Sequence, residues 1–131
     1  AGAEALAQAE AAAAAGKLDF AMLLYQYASR QGEAAARLVA SGDCRFGVIL
    51  CGTGQGIMMA ANKVKGVRCG VCADTYSARM IRQHNDANML AIGARVVGEG
   101  LALDIVDAFL AAGFEGGRHA ARVEMIEALE G

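Results

Sequence analysis

A thiol stands beside three glycines in the stretch GVILCGTGQGIMMAANK, residues 47–63. Cys51 ends a short apolar run, and the Gly-Thr-Gly-Gln-Gly segment that follows leads into a helical pattern. A thiol near a helix N-terminus has its thiolate stabilised by the helix dipole. Cys51 could therefore act as a nucleophile or as a general base, and the alternative is a buried structural cysteine.

The glycine-rich turn after Cys51 is suited to holding an anion. Gly52, Gly54 and Gly56 permit a tight turn and let backbone N–H groups approach a ligand. The positive end of the next helix adds to this attraction, so we predict a cradle for a phosphate or a developing oxyanion. The segment matches neither a Walker loop nor the dinucleotide fingerprint. Two alternatives remain, namely a plain strand-to-helix connection and a nucleotide site that uses Asp74.

Two further segments carry side chains that could do chemistry. His84 lies in RQHNDAN at the predicted end of a helix, where it is either part of a connection or part of a site. Arg118 and Arg122 are four residues apart and share one face of the last predicted helix. Two guanidiniums on one face suit a phosphate dianion. The alternative is a solvated basic face whose arginines are paired with nearby acids.

Composition narrows the classes of partner. The chain has 131 residues, which fits a single domain over 1–131, and a net charge of -2, which offers no basic field to a nucleic acid. It lacks an apolar stretch of the roughly 18 residues that a bilayer span needs. Its first residues contain no basic signal-peptide region. We therefore predict a cytoplasmic protein with neither a nucleic-acid nor a membrane partner.

Cys69 and Cys72 form a C-x-x-C pair that lies within a predicted strand. Residues three apart on a strand point to opposite faces, and zinc sites generally combine two such pairs or a pair with histidines. We therefore predict no metal site and expect both thiols to be reduced and buried.

Short apolar strands alternate with helical segments along most of the chain. Residues 3–15 and 29–40 favour helices, while 18–24 fit either a strand or the front of a long helix. Three strands are then predicted at 45–51, 67–72 and 88–94, and four helices at 55–64, 75–83, 100–112 and 119–130. This order predicts an α/β fold, a doubly wound parallel sheet with helices on both faces. Ligands of such sheets bind beyond the carboxyl ends of the strands, where Cys51 stands.

The segments CGTG-x-G, AANK, DTYSA, HNDAN, GAR-V-G and GGRH-x-x-R occur in this order. Together they make residues from about 43 to 130 closely resemble the type B ribose-5-phosphate isomerase family, which includes the galactose-6-phosphate isomerase subunits. The resemblance implies a Rossmann-like sheet and a homodimer or higher homo-oligomer with active sites at the subunit interface. It also implies the interconversion of aldose and ketose phosphates through an enediolate, with neither metal nor cofactor.

The resemblance assigns roles to the residues of the glycine-rich turn. Cys51 would be the base that moves a proton between C1 and C2 of the sugar, and Thr53 would assist it. The backbone N–H groups of Gly52, Gly54 and Gly56 would hold the enediolate oxygen.

The resemblance also assigns the residues that bind the sugar and its phosphate. His84 would open the furanose ring and Asn85 would bind hydroxyls, while Arg95, Arg118 and Arg122 would grip the phosphate. Ring opening favours a cyclic substrate, so ribose 5-phosphate is expected first and allose or galactose 6-phosphate next. A four-carbon erythrulose phosphate is less favoured, and a non-catalytic sugar-phosphate-binding subunit of a mixed complex is the rival hypothesis.

The amino-terminal third departs from the family pattern. Family members begin with a strand ending in Asp-His-Ala-Gly, whereas this sequence begins AGAEALAQ and contains no such Asp-His pair. We attribute the difference to missing or altered upstream sequence. Absence of this central strand would leave backbone groups unpaired in the core. Tyr25 or Tyr27 is the candidate for the family's substrate-contacting tyrosine.

Overall fold

The computed structural model describes the backbone of residues 20–24 and 28–30, and the backbone and side chains of residues 31–131. The helix predicted over residues 3–15 and the candidate tyrosines Tyr25 and Tyr27 lie outside the described residues.

In the described part of the chain, four parallel strands form the sheet. They are β1 (Phe20–Leu24), β2 (Phe46–Cys51), β3 (Cys69–Val71) and β4 (Met89–Gly93), arranged in the order β1-β2-β4-β3. The register pairs Gly47 with Met89 and Cys51 with Gly93. The carboxyl ends of β2 and β4 therefore lie side by side, and we call this end of the sheet its carboxyl edge. The predicted parallel sheet is confirmed, and the ambiguous segment 18–24 contains a strand. β1 and β4 pair with the two sides of β2, so the backbone of β2 is not left unpaired.

Five described helices connect and follow the strands. They are α1 (Ala28–Ala40), α2 (Gln55–Ala61), α3 (Thr75–Asn85), α4 (Glu99–Ala111) and α5 (Arg118–Ala128). No helix in the described part of the chain is long and apolar enough to span a bilayer. α2 ends at Ala61, three residues before the predicted end, because the backbone tightens into i→i+3 hydrogen bonds such as Val64 N to Ala61 O.

Helices cover both faces of the sheet, as the doubly wound prediction requires. Side chains alternate along β2, so Ile49 packs in a core with α1 and α2, and Val48 packs in a second core with α3 and α4. In the second core the Phe46 and Phe109 rings meet edge to face with centroids 5.7 Å apart. The two cores hold the strands, and therefore the loops at their ends, in fixed positions.

The C-x-x-C thiols lie in different cores. Cys69 belongs to the core on the α1 and α2 side, and Cys72 to the core on the α3 and α4 side. Both are free and buried, which confirms the prediction of reduced buried cysteines. Burial raises the pKa of Cys69 to about 12 and that of Cys72 to about 11. Both thiols are therefore protonated and unreactive at neutral pH.

Asn62 protects the outer edge of the sheet at β3. Its side-chain amide donates to the carbonyl oxygen of Cys69 at 2.8 Å and accepts from the N–H of Cys69 at 2.8 Å. These are the two bonds that a further strand would make with that residue. The asparagine of the AANK segment thus closes an exposed strand edge, the kind of surface that otherwise promotes association.

Candidate functional site

Cys51 lies at the carboxyl end of β2 and is partly exposed, whereas Cys44, Cys69 and Cys72 are buried. The backbone N–H of Gly54 donates a hydrogen bond to the Cys51 sulfur at 3.2 Å. Hydrogen bonds to an ionised acceptor are stronger than those to a neutral one, so this donor stabilises negative charge on the sulfur. Cys51 is thus a partly exposed residue with a backbone donor directed at its sulfur.

The turn after Cys51 uses its N–H groups differently from the prediction. Gly54 is buried with φ 83°, a left-handed conformation that favours glycine, and its N–H points at sulfur rather than outward. The exposed Thr53 accepts a hydrogen bond from Gln55 N at 3.4 Å through its hydroxyl oxygen. Gly56 lies in the first turn of α2, where N–H groups have no intrahelical acceptor. Gly52 and Gly56, rather than Gly54, are therefore the candidate donors to a bound oxyanion.

The end of β4 braces this turn and brings Arg95 to it. Backbone N–H groups of Ala94 and Arg95 donate to the carbonyl oxygens of Cys51 and Gly52 at 2.8 and 3.0 Å. The Arg95 side chain lies over Gly52, since a Cβ on that glycine would be 3.7 Å from the arginine Cδ and Nε. We call Cys51, Gly52, Thr53, Gly54, Gly56 and Arg95 the carboxyl-edge group.

Gly93 is required by the close approach of this turn. A Cβ at Gly93 would lie 2.7 Å from the carbonyl oxygen of Thr53 and 2.8 Å from its carbon. We expect Gly93→Ala to lower the free energy of unfolding by about 1–3 kcal/mol, because backbone must move to make room. Urea denaturation measures this. Gly113→Ala is the matched control, because a Cβ there meets nothing within 4 Å. Equal effects of the two substitutions would show that the close approach is unimportant.

His84 and Asn85 lie near the amino-terminal ends of the strands, opposite the carboxyl ends where Cys51 lies. α3 starts after β3 and runs back toward the start of β4, and both residues are in its last turn. β4 places Met89 and Gly93 four residues apart, or roughly 13 Å, with Gly93 beside Cys51. Within one chain, His84 and Asn85 therefore lie far from Cys51.

Arg68 and Arg82, to which the sequence analysis assigned no role, hold the turn after His84 in place through hydrogen bonds. Arg82 is 5% exposed and donates to Asp86 Oδ1 at 2.9 Å and to Ala87 O at 2.6 Å. Its guanidinium lies 4.8 Å from the centroid of the Phe46 ring. Arg68 donates to Asp86 O at 2.8 Å. Arg82 and Asp86 are four residues apart, a spacing that predicts an ion pair on one face of a helix.

Arg118 and Arg122 lie near His84, at the start of α5. The backbone N–H of Glu115 donates to Gln83 O at 3.0 Å, which ties the loop before α5 to the end of α3. Among the described residues, neither arginine makes an ion pair. This part of the chain therefore does not show a basic face whose arginines are paired with acids. Both exposed guanidiniums are available to an anion.

His119 is a second residue that the sequence analysis did not assign. Its ring stacks on the ring of His84 with centroids 4.2 Å apart and planes inclined by 9°. Desolvation lowers the pKa of His119, and the positive charges of His84, Arg118 and Arg122 lower it further, while Glu115 opposes them. The net effect favours the uncharged form of the His119 imidazole. We call His84, Asn85, Arg118, His119 and Arg122 the amino-edge group.

The stacked histidines also bear on metal binding. Ligand atoms of His84, Glu115 and His119 lie within 4.8 Å of one another. A lone pair of imidazole lies in the plane of its ring, however, and two parallel stacked planes cannot both contain one ion. One ring would have to turn before both could coordinate a metal, so this arrangement does not favour a metal centre.

Asp74 has a structural role at the start of α3. Its carboxylate accepts from Ser77 N at 2.6 Å and from Ser77 Oγ at 2.9 Å. These hydrogen bonds cap the helix and lower the pKa of Asp74. The residue on which the nucleotide alternative depended is thus engaged in a helix cap.

Comparison with known proteins identifies a family and individual relatives that this chain resembles. A profile of the family described as Ribose/Galactose Isomerase matches residues 23–126. Ribose-5-phosphate isomerase B of Escherichia coli (strain K12) is 57% identical over 95 residues, which are 72% of this chain and 64% of that protein. The chain thus matches less than two thirds of the length of this relative.

Solved structures match the fold. A ribose-5-phosphate isomerase B from Clostridium thermocellum aligns with a TM-score of 0.75 and 58% identity, covering 76% of this chain and 67% of that one. The enzyme of the same name from Mycoplasma genitalium, with bound ribulose-5-phosphate, aligns with a TM-score of 0.73 and 42% identity. That alignment covers 76% of this chain and 66% of the other. The Rossmann-like fold that the resemblance implied is confirmed.

Proposed function

The chain belongs to the ribose/galactose isomerase family, and on this premise we propose that it interconverts an aldose phosphate and a ketose phosphate by metal-independent proton transfer. Cys51 is the proposed base, and ribose 5-phosphate and ribulose 5-phosphate are the proposed pair. The observation that carries this proposal is the position of the partly exposed residue Cys51 at the carboxyl edge, with the N–H of Gly54 directed at its sulfur.

The reaction needs a base and an oxyanion site at the same place. A C–H bond next to a carbonyl is weakly acidic, and a positioned base typically contributes about 10²–10⁴-fold to the rate. In the proposed step, the Cys51 thiolate takes the proton from C2 of the open-chain aldose, which forms the enediolate, and returns it to C1, while the hydroxyl proton of O2 passes to O1 through the solvent. The backbone N–H groups of Gly52 and Gly56 stabilise the negative oxygen, and one such donor is typically worth about 10²–10³-fold.

Two chains are proposed to build each active site. The carboxyl-edge group holds the base, whereas the amino-edge group holds the ring-opening His84 and the phosphate-binding Arg118 and Arg122. Their positions at opposite edges of one sheet support a homodimer in which the first group of one subunit faces the second group of its partner. This geometry is isologous, so a two-fold dimer contains two such sites. A cytoplasmic location remains a prediction.

The choice of substrate rests on His84 and on the relatives. A histidine that opens a ring serves a cyclic sugar phosphate. Arg118 and Arg122, which have no ion pair among the described residues, suit its phosphate. The Mycoplasma genitalium relative was solved with ribulose-5-phosphate, which supports ribose 5-phosphate as the first choice. The family description includes galactose isomerases, which keeps galactose or allose 6-phosphate as the second.

A coupled assay over these substrates tests the proposal. We expect the highest kcat/KM with ribose 5-phosphate, lower values with allose and galactose 6-phosphate, and the lowest with erythrulose 4-phosphate. Sugar-phosphate binding without turnover of any substrate would contradict the isomerase proposal and support the non-catalytic subunit of a mixed complex. Titration with NAD and ATP is expected to show no binding, since the Asp74 carboxylate caps a helix.

A further inference from the structure

We propose that His119 is a positioning residue that holds the imidazole of His84 by face-to-face stacking, in the orientation that ring opening requires. The catalytic consequence rests on the proposed isomerase function, whereas the stacking itself does not. The two rings have centroids 4.2 Å apart and planes inclined by 9°.

His119 is the fixed member of the pair. It is 8% exposed, and its backbone N–H donates to Gly116 O at 3.0 Å at the start of α5. His84 lies partly exposed in the last turn of α3, and among the described residues its ring has no hydrogen-bond partner. Stacking on His119 is therefore the described contact that can set the plane of the His84 ring.

The charges around His119 favour its uncharged form. Arg118 and Arg122 bring positive charge from α5, and Glu115 brings a carboxylate oxygen 3.7 Å from His119 Nε2. Protonating both rings would place two positive charges face to face beside two guanidiniums. In its uncharged form His119 supports the His84 ring without adding a positive charge beside it.

The sequence contains two histidines, so the imidazole NMR signals come from two side chains. We compare the wild type with His119→Phe, which keeps an aromatic face, and His119→Leu, which does not. The ring-current shift of the His84 protons is expected to persist in the phenylalanine variant and to disappear in the leucine variant. With ribose 5-phosphate, kcat should fall about 10–100-fold in the leucine variant, because a misplaced group loses rate. KM should change little, since Arg118 and Arg122 remain.

Phenylalanine should restore most of the kcat, which a role for the His119 nitrogens would not allow. The proposal is overturned if His119→Leu keeps both the His84 shift and the kcat, or if His119→Phe is as slow as His119→Leu. Urea denaturation checks that both variants fold, and His119→Gln replaces the leucine variant if that one does not. If the wild type fails to turn over ribose 5-phosphate, the proposed function fails, while the His84 shifts still decide the stacking.

Discussion

Replacing Cys51 with alanine is expected to lower the turnover of ribose 5-phosphate by about 10²–10⁴-fold, the usual contribution of a general base. Binding of the sugar phosphate should persist, because Arg118 and Arg122 are the proposed phosphate-binding residues. They belong to the amino-edge group and make no contact with Cys51 of their own chain. Steady-state kinetics and titration calorimetry on the same preparations separate the two effects. The alanine variant should therefore lose kcat while its dissociation constant stays close to that of the wild type.

Cys72→Ala is the matched control for this experiment. Cys72 is 3% exposed and packs in the core beside α3 and α4, so its loss should lower stability without removing the base. Iodoacetamide should modify Cys51 first and abolish turnover as it does so, because burial holds the pKa of Cys69 at about 12 and that of Cys72 at about 11. An alanine variant of Cys51 that turns over at the wild-type rate would refute the role of the sulfur.

The fold and one half of the candidate site could be predicted from the sequence because their signals are local. The apolar run before Cys51 and the glycines after it define a strand, a turn and a helix start within a few residues. Parallel pairing then follows from alternation of strands and helices. The carboxyl-edge position of Cys51 is a consequence of chain order alone.

Other features depend on contacts between distant segments, which local patterns do not contain. The stacking of His84 on His119 requires α3 and α5 to pack side by side, and the GGRH segment gave no sign of it. Gly54 was expected to point its N–H at a ligand, whereas the chain turns it toward sulfur. The AANK segment likewise gave no sign that the side chain of Asn62 pairs with the backbone at the edge of β3.

Mixing two inactive variants is expected to restore about a quarter of the wild-type activity, if each site is shared between two subunits. Cys51→Ala removes the base from the carboxyl-edge group, and His84→Ala removes the ring-opening residue from the amino-edge group, so each homodimer should be nearly inactive. Random exchange makes about half of the dimers mixed, and each mixed dimer has one intact site out of two. The assay follows turnover of ribose 5-phosphate after subunit exchange, with exchange itself confirmed by native mass spectrometry.

A second mixture controls for non-specific recovery. Arg95 belongs to the same carboxyl-edge group as Cys51, since its side chain lies over Gly52. In a mixed dimer of Cys51→Ala and Arg95→Ala, each of the two sites carries one substitution, so no intact site can form and activity should stay low. Recovery in the first mixture but not in the second therefore requires Cys51 and His84 to act from different subunits. Exchange without recovery in the first mixture would mean that one chain brings both residues together, against the roughly 13 Å that β4 puts between the two edges.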